Sequence, residues 1–209
     1  RAGEPGGAGG IGGASGAGAG GVAGAGGSAG GGPPACDASK GEFTLPSGAG
    51  ACFFFLAKNA PPGAELGREK WQWTEARDDC ARLGGVLASL SRPEEFEDVR
   101  DAIGVGAPIT GVTVSKDVWV GGSTALTQAS SLDQLAASFA WQSGEAWAYV
   151  EAGEGPWAIG QPDVASGGNV AEQCVEMRSG LLYRFNNRPC FNQLEFALCE
   201  RPGPPDEDD

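Results

Sequence analysis

The sequence predicts an α+β domain cross-linked by disulfides, and three observations carry the prediction. Two segments, 74–83 and 91–103, repeat their apolar residues at helical spacing behind recognisable start signals. Several runs are short, apolar or aromatic and bounded by turn formers, as buried strands are, beginning with Cys52, Phe53, Phe54, Phe55 and Leu56. Six cysteines, at 36, 52, 80, 174, 190 and 199, all fall in the part of the chain able to fold.

Composition divides the 209 residues. Residues 1–35 are nearly all Gly and Ala, bury nothing, and read as a flexible tether. Gly16, Gly18 and Gly21 match a GxGxxG pattern there, but low complexity produces such matches by chance, and neither strand nor helix flanks this one. Residues 36–201 suffice for one compact domain. Residues 202–209, rich in Pro and ending in Asp206, Glu207, Asp208 and Asp209, read as a disordered acidic tail.

Within the domain, a turn at Pro46, Ser47 and Gly48 precedes the first strand, which a Cys36 to Cys52 bridge would staple as a hairpin. Thr74 is the expected N-cap of the first helix, and Glu75 suits the positive end of its dipole. Ala76, Cys80 and Leu83 share a face before the stop at Gly84 and Gly85, which turns Cys80 inward. Val86 to Leu90 form a short extended link. The second helix starts at Ser91, in a capping box with Glu94, and aligns Phe96, Val99 and Ile103. Its carboxylates Glu94, Glu95, Glu97 and Asp98 have no apolar surroundings to raise a pKa, so they read as a solvated face rather than acid–base machinery. Val118, Trp119 and Val120 make a buried strand ending at Gly121 and Gly122. After an excursion of some helical character to about Ser138, the runs Phe139 to Trp141 and Trp147 to Tyr149 flank Ser143 and Gly144 as a β-hairpin does. Most of the six tryptophans are expected in the core.

Charge and cysteine usage narrow the function. A net charge of −13 argues against nucleic acid and anionic membranes, both of which need a basic footprint. With no histidine, His-based triads, general bases and zinc ligands are all excluded, and no enzymatic role is expected. None of the cysteines forms a CxxC, so redox and zinc-ribbon chemistry find no support. Three disulfides are the economical reading, with their pairing left open by sequence. Such a chain belongs in an oxidising compartment, secreted, at the cell surface or periplasmic, with an extracellular or cell-surface place expected here. It begins with Arg1 and carries no apolar leader, so a signal peptide is expected to be already missing, and no run is apolar enough to span a bilayer.

The stretch from Gln161 to Cys199 gathers oxygen-bearing side chains around a proline turn and between cysteines. Gln161, Pro162 and Asp163 open it; Glu172, Gln173, Cys174, Val175 and Glu176 follow; Phe185, Asn186, Asn187 and Cys190 come before Cys199 and Glu200. Calcium, a hard cation taking about six to eight oxygen ligands, suits such a set. Together with Trp73 to Ser89, the acidic helix, Trp119 to Gly121 and Trp157, this stretch resembles the C-type lectin-like domain in its long form, over about Cys36 to Glu200.

The resemblance implies two helices flanking antiparallel sheets, and disulfides Cys36 with Cys52, Cys80 with Cys199, and Cys174 with Cys190. It also implies a long irregular loop region before Cys174 that carries the binding site. In calcium-dependent sugar-binding members, the positions matching Gln161, Asp163, Glu172, Asn186 and Asn187 hold Ca2+, and two vicinal sugar hydroxyls complete the coordination. The Gln-Pro-Asp version resembles the galactose type. Three departures stand out. Asn187 replaces the family's Asp and lowers the ligand charge that controls affinity. Val164 and Gln173 occupy positions of an auxiliary calcium site, which is expected to be absent. The loop from Val164 to Ala171 contains no aromatic to stack on a sugar. The expected function is therefore an extracellular glycan-binding module using one calcium. The alternative, on the same fold, is a calcium-independent module recognising a cell-surface protein.

Overall fold

The computed structural model describes residues 36–201 apart from 48, 49, 60, 62, 166 and 167. The tether over 1–35 with its GxGxxG match, Gly48 of the first turn, and the acidic tail over 202–209 lie outside the described residues.

One sheet of seven strands organises the rest. In chain order these are β1 (Cys52–Leu56), β2 (Val86–Leu87), β3 (Val118–Ser123), β4 (Ala140–Trp141), β5 (Cys174–Arg178), β6 (Arg184–Arg188) and β7 (Phe196–Arg201). The order across the sheet is β1-β7-β3-β5-β6, with β2 also on β7 and β4 also on β3. Every pairing is antiparallel except that of β3 with β7, where Val118 lies beside Phe196. Three helices accompany the sheet: α1 (Trp73–Arg82), α2 (Pro93–Gly104) and the short α3 (Leu132–Ala136).

Alternation along the strands explains why the apolar runs are continuous. Phe53 and Phe55 enter one core with Phe96, Val99 and Ile103 of α2, while Phe54 and Leu56 enter another with Trp73, Ala76 and Cys80 of α1. Val118 and Val120 likewise face α2's side, and Trp119 faces α1's. A sheet covered on both faces needs apolar residues at every position of its central strands. The helices therefore sit on opposite faces.

Five of the six tryptophans are buried, and the sixth, Trp147, packs half-buried against the core. Trp71, Trp119 and Trp157 are fully buried, and their indole N–H groups donate to Asp79 Oδ2, Trp71 O and Tyr149 O at 2.9, 2.9 and 3.0 Å. Three disulfides close the frame: Cys36 with Cys52, Cys80 of α1 with Cys199 of β7, and Cys174 with Cys190. Among the described residues no cysteine is free, and no helix is long and apolar enough to cross a membrane.

Several local expectations need correction. Gln72, not Thr74, caps α1: the Glu75 carboxylate accepts from the Gln72 backbone N–H at 2.9 Å. The second helix begins one residue later than expected, with Arg92 as N-cap and Pro93 inside the first turn. The box is therefore closed by Glu95, which is buried, rather than by Glu94; the solvated-face reading fails for Glu95 because its carboxylate is folded back onto the Arg92 N–H and guanidinium. Strand β3 does not end at Gly121 and Gly122 but runs through them. A Cβ on Gly121 would meet Leu87 O at 2.6 Å, and one on Gly122 would meet Val175 and Trp147. These glycines mark close approach, not a turn. The expected hairpin after Phe139 does not form. Ala140 and Trp141 pair with β3 instead, and the indole of Trp147 donates to Ala136 O and Tyr149 O.

Candidate functional site

Strand β6 supports the site. Its pairing with β5 sets Asn186 opposite Glu176 and Asn187 opposite Val175, so the two asparagines leave opposite faces of the sheet. Along the outer edge of β6, segment 156–163 is pinned at both ends. The first foot is at Phe185, whose N–H donates to Pro156 O at 2.7 Å and whose carbonyl accepts from Ala158 N at 3.0 Å. The second foot is at Asn187, whose Oδ1 accepts from Asp163 N at 2.8 Å and whose Nδ2 donates to Asp163 O at 2.8 Å. The same Nδ2 reaches Glu172 O at 3.1 Å. Asn187 is fully buried and spends its whole amide on holding Asp163 and Glu172 in place.

Between the feet lies the proline turn, with a cis peptide between Gln161 and Pro162. Gln161 Nε2 stands 3.5 Å from Asp163 Oδ2. Gln161 Oε1 is sealed from solvent and has no hydrogen-bond partner. An orphaned acceptor of this kind loses its hydration without compensation, so its position beside a carboxylate calls for an explanation.

Glu172, half-buried just before Cys174, faces Asp163. Burial first, and then the Asp163 carboxylate beside it, hold the Glu172 carboxyl above the ordinary carboxylate range, against the pull of Arg188 and Arg178. Gln161, Asp163, Glu172 and Asn187 are therefore brought together. Asn186 is not: its Nδ2 donates to Glu176 Oε1 at 2.9 Å and its Oδ1 lies 3.5 Å from the Arg178 guanidinium.

That other face groups Glu176 with Arg188 and Asp117, a set that the sequence alone does not assemble. Glu176 is fully buried and accepts from Arg188 Nη1 at 2.5 Å; the same nitrogen reaches Asp117 Oδ2 at 2.9 Å. Asp117 also accepts from the Ser179 backbone and hydroxyl at 2.9 and 2.7 Å. The available signal was the alternation of Cys174, Glu176 and Arg178 against Arg184, Asn186 and Arg188, which gathers polar side chains on one side of two paired strands.

What the site can do chemically follows from its donors. It offers two carboxylates and one bare amide oxygen, all hard ligands, with neither thiolate nor imidazole. That composition suits Ca2+ over softer transition metals. Among the described residues no group of three or more His, Cys, Asp or Glu side chains is placed to hold a metal, so an ion here would have to rest on two carboxylates supplemented by amides.

No sequence-family profile matches this chain, and no characterised protein matches it by sequence. Solved structures do. Human lithostathine aligns at a TM-score of 0.51 and 20% identity, covering 77% of this chain and 88% of that one. SPL-1, in complex with GlcNAc, aligns at 0.51 and 18%, covering 79% and 95%. A calcium-independent type II antifreeze protein aligns at 0.50 and 20%, covering 78% and 93%. At such identities the likeness is one of fold, and the fold is the C-type lectin-like one, with its antiparallel sheet, flanking helices and three disulfides.

Proposed function

We propose that this chain is a carbohydrate-recognition module, working outside the cell or at its surface, that holds a glycan at the Gln161 to Asp163 turn through one calcium ion. The observation that carries the reading is Gln161 Oε1, buried and unpartnered beside Asp163, whose carboxylate in turn presses on Glu172. A hard cation gives the orphaned oxygen a partner and relieves the repulsion between the two carboxylates. Gln161, Asp163 and Glu172 supply side-chain oxygens to it; Asn187 positions two of them. Asn186, part of the ligand set implied by the family resemblance, acts from the opposite face by fixing Glu176. Bound there, calcium supplies a coordination point for vicinal sugar hydroxyls, and the Gln-Pro-Asp sequence favours the galactose class. The three disulfides support an oxidising compartment, and the glycan-bound SPL-1 supports a saccharide as the kind of partner.

Calorimetric titration of the chain with calcium, repeated on Asp163→Ala and Glu172→Ala, tests the reading. A heat lost in both variants, followed by glycan-array binding that chelation reverses, supports it. No heat at millimolar calcium removes the metal.

A second reading, calcium-independent recognition of a glycan or cell-surface protein, draws on a specific observation. The Asn187 amide is already engaged with backbone at both ends, and Arg178 and Arg188 already bring positive charge to Glu172. The antifreeze neighbour, described as calcium-independent, has the same fold. Array binding that persists in chelator selects this reading.

A further inference from the structure

The two feet of segment 156–163 stand on Phe185 and Asn187, two residues apart on β6, a spacing of about 7 Å. The residues between the feet, Ile159 to Pro162, exceed that span, so between them the segment arches away from β6. Its crown is a tight turn: Gln161 N donates to Ala158 O at 2.9 Å, with Ile159 and Gly160 at the centre and Gly160 at φ +79°. That φ is the requirement of a type II turn at its third position and explains the glycine. Gly153 N buttresses the crown from behind, donating to Gln161 O at 2.7 Å.

The sequence conflict lies at Ile159. Trp157 and Ala158 immediately before it are buried, yet Ile159 is 96% exposed, the most exposed of the large hydrophobic residues among those described. The second position of such a turn accepts most residues, so the turn does not require an aliphatic side chain there. A lone exposed apolar residue on an arbitrary surface needs no explanation. This one is held rigidly, two residues before Gln161 and four before Asp163, on the same short arch as the unpartnered oxygen.

We infer that Ile159 is the apolar contact of the ligand site and determines its specificity, covering the C–H face or a methyl-bearing substituent of a saccharide whose hydroxyls are held at Gln161, Asp163 and Glu172. Sugars present polar edges and apolar faces. A site made of oxygens alone reads only the edges, and Ile159 supplies the complement for the face. The inference rests on the carbohydrate reading above.

The test uses the whole chain with its isoleucine δ1 methyls labelled, and galactose, N-acetylgalactosamine, N-acetylglucosamine and mannose as probes, in calcium. The Ile159 methyl signal is assigned by its loss in Ile159→Ser, a change that leaves folding intact because the side chain touches nothing. At least one sugar is expected to shift that signal and to show a through-space contact from it to ring or acetyl protons. Ile159→Ser is expected to weaken that sugar by about tenfold, as loss of a partly buried aliphatic contact does, while the calorimetric calcium heat persists. Wild-type affinity in Ile159→Ser, with calcium and sugar binding both present, overturns the role of Ile159 and leaves the carbohydrate reading standing. Failure of the wild-type chain to bind any of the four sugars overturns both.

Discussion

Arg188 lies along the sheet to meet the fully buried Glu176, its Nη1 2.5 Å from Glu176 Oε2 and 2.9 Å from Asp117 Oδ2. One guanidinium thus serves two carboxylates, and Asn186 occupies the remaining oxygen of Glu176 at 2.9 Å. Even so, burial dominates and pushes the Glu176 carboxyl up to about 7. Arg188→Ala leaves a buried acid without its hydrogen-bonded cation, with only the more distant Arg178 to offset it, and is expected to destabilise the fold by about 3–5 kcal/mol at neutral pH. The double change Arg188→Met with Glu176→Gln removes both charges and is expected to restore much of that loss. Urea unfolding of the two variants beside wild type measures the difference; equal stability of both variants contradicts the assignment.

Glu200 is another buried acid, pushed up to about 8 by burial and then by Glu145, against hydrogen bonds from Ser89. For Glu176 and Glu200 the folded pKa exceeds that of the unfolded chain, whose glutamates titrate near their ordinary value of 4.5. Between the two values the unfolded chain gives up a proton that the folded one keeps. Stability from these groups is therefore full below pH 4.5 and is lost as pH rises through about 7 for Glu176 and about 8 for Glu200. The melting temperature is expected to be lower at pH 8.5 than at pH 5 by several degrees. Glu200→Gln is expected to flatten the alkaline part of that slope in a calorimetric pH series.

Much of this architecture was legible because its determinants are local. Cys52 to Leu56 is an apolar run that only a doubly covered strand explains, and Phe96, Val99 and Ile103 mark a helix face whatever surrounds them. What the letters hid were contacts between distant segments. Gly121 and Gly122 look like a stop until Leu87 O and Val175 are seen pressing on them. Trp147 looks like a strand residue until its indole is found bonded to Ala136. At the site, the oxygen donors Gln161, Asp163 and Glu172 lie together, but alternation along β6 sends Asn186 away from its neighbour. The Glu176 and Arg188 pair was missed because charged residues are ordinarily solvated, and only the strand register buries this one.

Covalent closure should weigh unequally among the three bridges. Cys80 and Cys199 are 119 residues apart in sequence, whereas the other two pairs are each 16 apart. In the chain-entropy account the long loop contributes about 4–5 kcal/mol and a short one about 3 kcal/mol. Cys80→Ala with Cys199→Ala also severs α1 from β7. It is expected to lower the urea midpoint more than Cys36→Ala with Cys52→Ala does, and the reverse order contradicts the account.

Asn187 gives the sharpest test of whether the site is built for a cation. Its Nδ2 donates to Asp163 O and Glu172 O, and its Oδ1 accepts from Asp163 N. Asn187→Asp keeps the acceptor but loses both donated bonds, and it sets a third carboxylate beside Asp163 and Glu172. Without calcium the variant is expected to be less stable than wild type by about 2 kcal/mol, from two lost bonds and added repulsion. With calcium at millimolar concentration the extra charge becomes a ligand, so the melting temperature of Asn187→Asp is expected to recover while that of wild type moves less. Protons compete for the same oxygens. Because burial and Asp163 hold the Glu172 carboxyl above its usual range, calcium release on acidification is expected to begin at a higher pH than for an ordinary carboxylate pair. Asp163→Asn removes the neighbouring charge and lets Glu172 titrate lower. Calorimetry at stepped pH reads both effects, and a calcium-insensitive Asn187→Asp shows that the arch is held for architecture alone.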